Sequence, residues 1–317
     1  MNIHHHFISH SFRKPVVTIG IFDGVHIGHM LILEKLNEIA HSTGGESVVV
    51  TLWPHPRMVL NPENHNLHLL NTLEEKQQLL AGKKVDHLVI LPFTHEFSQL
   101  SSCEFIGHYL VERIGVHHLV VGFNHHFGKD RQGDIEKIKE CSADFHFTLE
   151  KLEARMQGEK EVSSSLIREL LESGRMTEAN SLLGYTYNLS GRVVSGSQIG
   201  RTLGFPTANI QPDHEYKLVP PSGVYAVGIK IRDTLHYGML NIGFRPTLNE
   251  PDPKRSIEVN VFDWHGDLYN EEVTVWFYSR LRDEMRFPDL GQLKQQLEKD
   301  KINTLNVIAN IVPLQNL

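Results

Sequence analysis

The nine residues IFDGVHIGH, Ile21 to His29, hold two histidines three apart, an aspartate and two glycines. They follow the apolar run VVTIGIF (16–22) and precede a helix-like pattern, so the histidines fall where a strand gives way to a helix. A helix N-terminus offers free N–H groups and a positive dipole end to an anion. Gly24 and Gly28 let the backbone approach a phosphate closely. The imidazoles of His26 and His29 can donate to phosphate oxygens and to the extra charge of a transition state. Incidental polar residues at a turn would read the same way, but the strand before and the helix after favour the phosphate. Zinc lacks support, because no HExxH pattern or cysteine pair accompanies the two histidines.

Four further stretches carry groups with chemistry. VVGFNHHFGKDRQGD (120–134) ends a strand at Gly122 and opens a loop with Asn124, Lys129 and Arg131, placed to reach the same crevice. On composition alone it also fits a polar surface loop. SSSLIR (163–168) sets three serines at a helix start with Arg168 in the first turns, suited to the leaving end of a nucleoside triphosphate. Serine capping explains one of the three well. In GRTLGFPTANI (200–210), Thr207 and Asn209 alternate around Ala208 and point the same way on a strand. Two oxygen ligands on one face suit Mg²⁺, which takes few protein oxygens and several from phosphate. A plain turn entering a strand is the competing reading. In SIEVNVFDW, alternation sets Glu258, Asn260 and Phe262 opposite Ile257, Val259 and Val261. A carboxylate there could act as general base toward a hydroxyl, or be an exposed strand glutamate.

The elements that must position these groups fall into two textures. Up to about residue 150, strand-like and helix-like segments alternate, which predicts an α/β domain with a parallel sheet. The strands are read at 16–22, 46–52, 87–93, 117–123 and 145–152, and helical segments follow His29, begin at Thr72, and span 101–115. Thr72 and Glu75 form a capping-box pair. Met30, Leu31, Leu33, Leu36 and Ala40 lie near one helix face. A short helical stretch at 163–184 precedes a run of short alternating strands broken by Gly, Pro, Asn and Asp, the signature of an antiparallel barrel or sandwich. Helical periodicity returns over 289–312. The expected domains are 1–184, Rossmann-like with a parallel sheet, and 185–317, an antiparallel β-barrel with a C-terminal helix.

Bulk properties bound the function. With 317 residues, two domains are the natural expectation. There are 38 acidic against 31 basic side chains, a formal charge of −7, which argues against a general nucleic-acid binder. No apolar run approaches a membrane span. The N-terminus MNIHHHFISHSFRKP lacks the apolar core of a signal peptide, so a cytoplasmic protein is expected. Cys103 and Cys141 fit no disulfide framework or zinc knuckle and are read as thiols in a reducing compartment. His4, His5 and His6 have no assigned role.

Together the motifs resemble one family, the bifunctional riboflavin kinase/FMN adenylyltransferases, from about Val16 to beyond Asp300. GIFDGVHIGH, WPHPRMVL, VVGFNHHFGKDRQGD and SSSLIRELLESGRMTEANSLLG look like its adenylyltransferase half. GRTLGFPTANI, PSGVYAV, NIGFRPTLN, IEVNVFDWHGDLY and LRDEMRFPDL look like its kinase half. The resemblance implies two reactions. ATP phosphorylates the ribityl hydroxyl of riboflavin to give FMN, and FMN then takes AMP from a second ATP to give FAD and pyrophosphate.

By position, the resemblance implies that His26 and His29 contact ATP phosphates in the adenylyl transfer. It places Phe22, Asp23, Gly24, Gly28, Asn124, Arg131, Ser164, Ser165 and Arg168 around the same nucleotide. In the kinase half it implies Gly204 and Pro206 at ATP, Thr207 and Asn209 at Mg²⁺ with ATP, and Glu258 as base. Arg282 and Phe287 fall on the flavin side. The departures are small: Val259 and Asn260 replace the family's frequent Thr and His, and His126 stands where an arginine is frequent. The implied partners are riboflavin, FMN and ATP, with no nucleic acid or membrane, in a monomer or weak oligomer. Two other readings compete: a monofunctional nucleotidyltransferase on another cofactor precursor with an accessory barrel, and a non-catalytic flavin or nucleic-acid binder.

Overall fold

A computed structural model describes residues 1–5, 12–63, 67–123, 135–153, 155–157, 160–196, 199–245 and 254–311. The chain divides into two units, Met1–Ser164 and Ser165–Leu317.

The first unit is built on six strands: β1 (Asn2–His4), β2 (Val16–Ile19), β3 (Ser47–Trp53), β4 (His87–Pro92), β5 (His118–Val121) and β6 (Thr148–Lys151). They pair in the order β1-β4-β3-β2-β5-β6, every pair parallel. Near-continuous apolar runs suit a sheet covered on both faces. Alternation along the strands divides them: Val17, Val48, Val50, Val89, Leu119 and Val121 face one core, and Val16, Val49, Leu88, Ile90 and Val120 the other. The second core is closed by α1 (Ile27–Thr43), through Leu33, Leu36 and Ala40, and by Leu80 of α3 (Leu73–Ala81). Between them lies the short helix α2 (Pro56–Leu60). Of the five residues expected on the buried face of α1, Met30 and Leu31 are only partly covered.

The first core is closed by α4 (Ser102–Phe105), which continues as a π-helix over Ile106–Ile114, and by α5 (Ile135–Phe145). Cys103 and Cys141 meet there in a disulfide, with Cα atoms 6.0 Å apart. This corrects the reading of two free thiols: 38 residues separate them in sequence, and only the packing of α4 beside α5 brings them together. The capping box is present in both directions, since Glu75 N–H donates to Thr72 Oγ1 at 3.2 Å and Thr72 N–H to Glu75 Oε2 at 2.9 Å. The chain runs β2, β3, β4 outward and then returns with β5 to the other side of β2. That reversal opens a crevice at the carboxyl ends of β2 and β5, the place where open α/β sheets take ligands. A two-stranded ribbon, β7 (Met156–Gln157) and β8 (Lys160–Glu161), follows β6.

The second unit begins one residue into α6 (Ser164–Glu172) and continues with α7 (Met176–Leu183). Six strands then form a closed antiparallel barrel: β9 (Asn188–Val194), β10 (Ala208–Pro212), β11 (Gly223–Ile231), β12 (Thr234–Arg245), β13 (Lys254–Val261) and β14 (Glu272–Arg282). Closure leaves no unpaired edge. A one-turn helix, α8 (Ile199–Thr202), leads into β10, and α9 (Leu290–Ile311) packs on β11, β12 and β14.

Arg282 anchors that last helix. Its guanidinium forms a forked pair with Asp300 of α9, Nε to Oδ1 at 3.0 Å and Nη2 to Oδ2 at 2.7 Å, and Asp300 is 1% exposed. Gln296 Nε2 donates to the same carboxylate at 2.8 Å. Breaking a buried pair from one side leaves an uncompensated charge and costs roughly 3 kcal/mol. Asp300→Ala is therefore expected to lower the unfolding free energy of the barrel unit by that order and to shift its urea midpoint downward; an unchanged midpoint would show that the pair is dispensable.

Candidate functional site

In the first unit the segment between β2 and α1 is strained. Phe22, Gly24 and Val25 have φ of 51°, 87° and 35°. Positive φ at two non-glycine residues in so short a turn is costly and persists only where the surroundings impose it. Asp23 supplies part of that imposition. It is 3% exposed, and its Oδ1 accepts the N–H groups of Leu70 at 2.9 Å and Asn71 at 3.2 Å, just before the Thr72 cap of α3. Ser164 supplies another part, its hydroxyl donating to the Asp23 carbonyl at 2.8 Å.

The loop delivers the two histidines as a stacked pair, ring centroids 3.7 Å apart. Phe22 lies 5.0 Å from the His29 ring. His26 caps α1: its Nδ1 accepts the His29 N–H at 3.4 Å, which leaves its proton on Nε2. A side chain on Gly28 would meet His26 at 3.1 Å and the Val162 carbonyl at 3.4 Å, so glycine keeps the helix start open. Burial pushes the His26 imidazole down to about 4, against the opposing pull of Asp23. Burial, with His26 and Lys76 adding to it, holds His29 well below the ordinary histidine range. Both rings are neutral at pH 7. The His29 Nδ1 is enclosed and has no partner among the described residues. An enclosed polar atom at a helix N-terminus fits an oxygen-rich anion. Ser165 and Arg168 follow Ser164 on α6, which continues in the second unit. Asn124 and Arg131 lie outside the described residues, as do His126 and Lys129; β5, which leads to them, ends beside β2.

Lys76, which the sequence did not single out, stands on α3 with its Nζ 5.7 Å from the Trp53 ring centroid. Its signal was present as a lysine on the apolar side of an amphipathic pattern.

In the second unit, β10 and β13 pair antiparallel, with Asn209 directly opposite Glu258. Thr207 Oγ1 donates to Glu258 Oε2 at 3.2 Å. The three side chains expected to work together thus converge at one end of the barrel. Asn260 Nδ2 donates to the Pro206 carbonyl at 2.7 Å and holds that turn, while Gly204 turns the chain at φ 84°. A pocket of about 430 Å³ opens beside them, lined among others by Arg201, Pro206, Thr207, Val259, Trp264 and Tyr269. Arg201, Trp264 and Tyr269 were not expected there. Arg282 is committed to Asp300, and its guanidinium carbon sits 5.9 Å from the Phe287 ring centroid. The structure thus joins Arg282 both to Phe287 and to α9.

Residues 8–166 match the family model of FAD synthetase, and residues 183–308 match that of riboflavin kinase. The chain belongs to the bifunctional riboflavin kinase/FMN adenylyltransferase family. It is 37% identical over 298 residues to the bifunctional riboflavin kinase/FMN adenylyltransferase of Listeria monocytogenes, with 94% of each chain covered. It is 35% identical to that of Bacillus subtilis, covering 97% of this chain and 96% of the relative. Among solved structures, one described as a macrolide-efflux protein from Streptococcus pneumoniae superposes with a TM-score of 0.87 and 29% identity, over 96% of this chain and 99% of that one. No helix among the described residues is long and apolar enough to cross a membrane. Like its family, the chain carries riboflavin kinase and FMN adenylyltransferase activities and makes FMN and FAD. The kinase match over the barrel removes the reading of that half as an accessory.

Proposed function

We propose that the two reactions are divided between the two units. His26 and His29 serve the transfer of AMP to FMN, and Glu258, Thr207 and Asn209 serve the phosphorylation of riboflavin. The chemistry of each step supports this division. A ribityl hydroxyl is a poor nucleophile near neutral pH, so its phosphorylation benefits from a base. The phosphate of FMN is already anionic, so adenylyl transfer needs positioning and donors that absorb charge as pyrophosphate leaves. A neutral histidine pair is a donor set, and a carboxylate beside two oxygen-bearing side chains is a base with a partner.

The Thr207–Glu258 hydrogen bond, with Asn209 opposite, carries the kinase assignment. The same donor set fits Mg²⁺: the Thr207 hydroxyl and the Asn209 amide oxygen are hard, neutral ligands that leave room for phosphate oxygens. Bound there with ATP, the ion would offset polyphosphate charge. A supply of ATP supports a cytoplasmic enzyme, and we take it to act as a monomer or weak oligomer.

Riboflavin, ATP and Mg²⁺ are expected to yield FMN and then FAD with this single chain. Excess chelator should stop FMN formation, and added Mg²⁺ should restore it. Chromatography that finds FMN formed at an undiminished rate in chelator would remove Mg²⁺ from the assignment. Neither product from folded protein would remove the whole proposal.

A further inference from the structure

The histidine pair is neutral, yet the ligand assigned to it carries several negative charges. A cation is needed nearby, and α3 supplies one. Lys76 is 2% exposed, and among the described residues its Nζ has neither a hydrogen bond nor an ion pair. It lies over Trp53, the last residue of β3, and β3 is the neighbour of β2. Lys76 therefore stands at the carboxyl end of the sheet, on the same side as the loop bearing His26 and His29. Asp23 fixes this relation, since it belongs to that loop and clamps Leu70 and Asn71 at the start of α3. A buried ammonium without a hydrogen-bond acceptor or a contacting counter-charge costs folding free energy. Such a cost is characteristic of a site built for an absent charge.

We propose that Lys76 supplies the positive charge of the adenylyl-transfer site, its ammonium turning to the polyphosphate chain that His26 and His29 hold. The inference rests on the assignment of that pair to ATP. Among the described residues, the titratable groups that interact with Lys76 are Asp23 and His29; Glu74 and Glu75 belong to its own helix, where Glu75 closes the cap at Thr72. Burial lowers the Lys76 amine to about 8, against the attraction of Asp23.

The test compares Lys76→Met and Lys76→Arg in the full chain. At pH 7, Lys76→Met should lose about 100-fold in kcat/KM for FAD formation from FMN, in the range for removing one charge-stabilising contact, with riboflavin phosphorylation unchanged. Wild-type kcat/KM for this step should fall as pH rises past about 8, because the ammonium then gives up its proton. Lys76→Arg should recover most of the rate and remove that alkaline limb. A loss that arginine does not relieve, or an alkaline limb retained in Lys76→Met, would overturn the proposal and leave Lys76 a packing residue. Calorimetric binding of inorganic pyrophosphate with Mg²⁺ reads the same charge without turnover. Affinity should drop roughly 10-fold in Lys76→Met at pH 7. Equal affinity overturns the Lys76 assignment whatever reaction the histidines serve. Absence of FAD formation in the wild type, with pyrophosphate binding still dependent on Lys76, would instead overturn the assignment of the pair to adenylyl transfer.

Discussion

Glutamine in place of Glu258 is expected to cut riboflavin phosphorylation by about 10²- to 10⁴-fold, the usual contribution of a general base, while FAD formation from supplied FMN continues at the wild-type rate. The substitution is chosen for its economy. Glutamine has the same length, and its amide oxygen can still accept from Thr207, whose hydroxyl is 3.2 Å from the carboxylate. What is lost is charge and basicity. The register of β10 and β13, with Asn209 opposite residue 258, is set by backbone pairing and does not depend on that charge. A fall in kinase activity would therefore report chemistry and not collapse of the barrel end. The decisive comparison is two chromatographic assays on one preparation, one started from riboflavin and one from FMN. Loss of both activities in a folded protein would refute the division of labour between the units. An unchanged kinase rate would remove Glu258 as base.

The second large effect is its mirror image. His29→Ala should lower FAD formation from FMN by about 10²- to 10³-fold and spare FMN formation from riboflavin. His29 holds the enclosed, unpartnered Nδ1, so its removal takes away a donor and not a structural bond. His26 differs, because its Nδ1 caps α1 and its replacement would disturb the helix start as well. The pH dependence also has a sign. Burial lowers both imidazoles, His26 to about 4. Both rings therefore stay neutral as the pH falls through the ordinary histidine range near 6.5, and the adenylyl transfer should show no acid limb from them in that range. An activity that halves near pH 6.5 in wild type and not in His29→Ala would show that His29 titrates normally and works in its charged form.

Much of this arrangement was legible in the chain because it rests on local rules. Strand, turn and helix around His26 and His29 follow from an apolar run, two glycines and helical spacing. The Thr72 and Glu75 cap is a four-residue pattern, and both of its hydrogen bonds are present. Thr207 and Asn209 share a face because strands alternate. What was hidden is non-local. Asp23 reaches across to Leu70 and Asn71, 47 and 48 residues away. Arg282 meets Asp300 only once α9 lies against β14, an ion pair that spans 18 residues and that no local pattern announces. The Cys103–Cys141 bridge depends on two helices packing side by side. Lys76 shares a helix face with Leu80, but its charge masked the burial, because lysines usually point to water.

The strand β1 has a consequence for handling the protein. Asn2, Ile3 and His4 pair with His87, Leu88 and Val89, and the Asn2 N–H donates to the Asp86 carbonyl at 2.7 Å. His4 Nε2 adds a side-chain contact to His87 Nδ1 at 3.1 Å. Three residues thus cover the outer rim of one of the most apolar strands in the sheet, HLVILP. Stripped of them, β4 would present a row of unsatisfied amides and carbonyls, which is a template for the sheet of another molecule. Where a purification handle is attached therefore bears on whether the purified enzyme stays dispersed or self-associates.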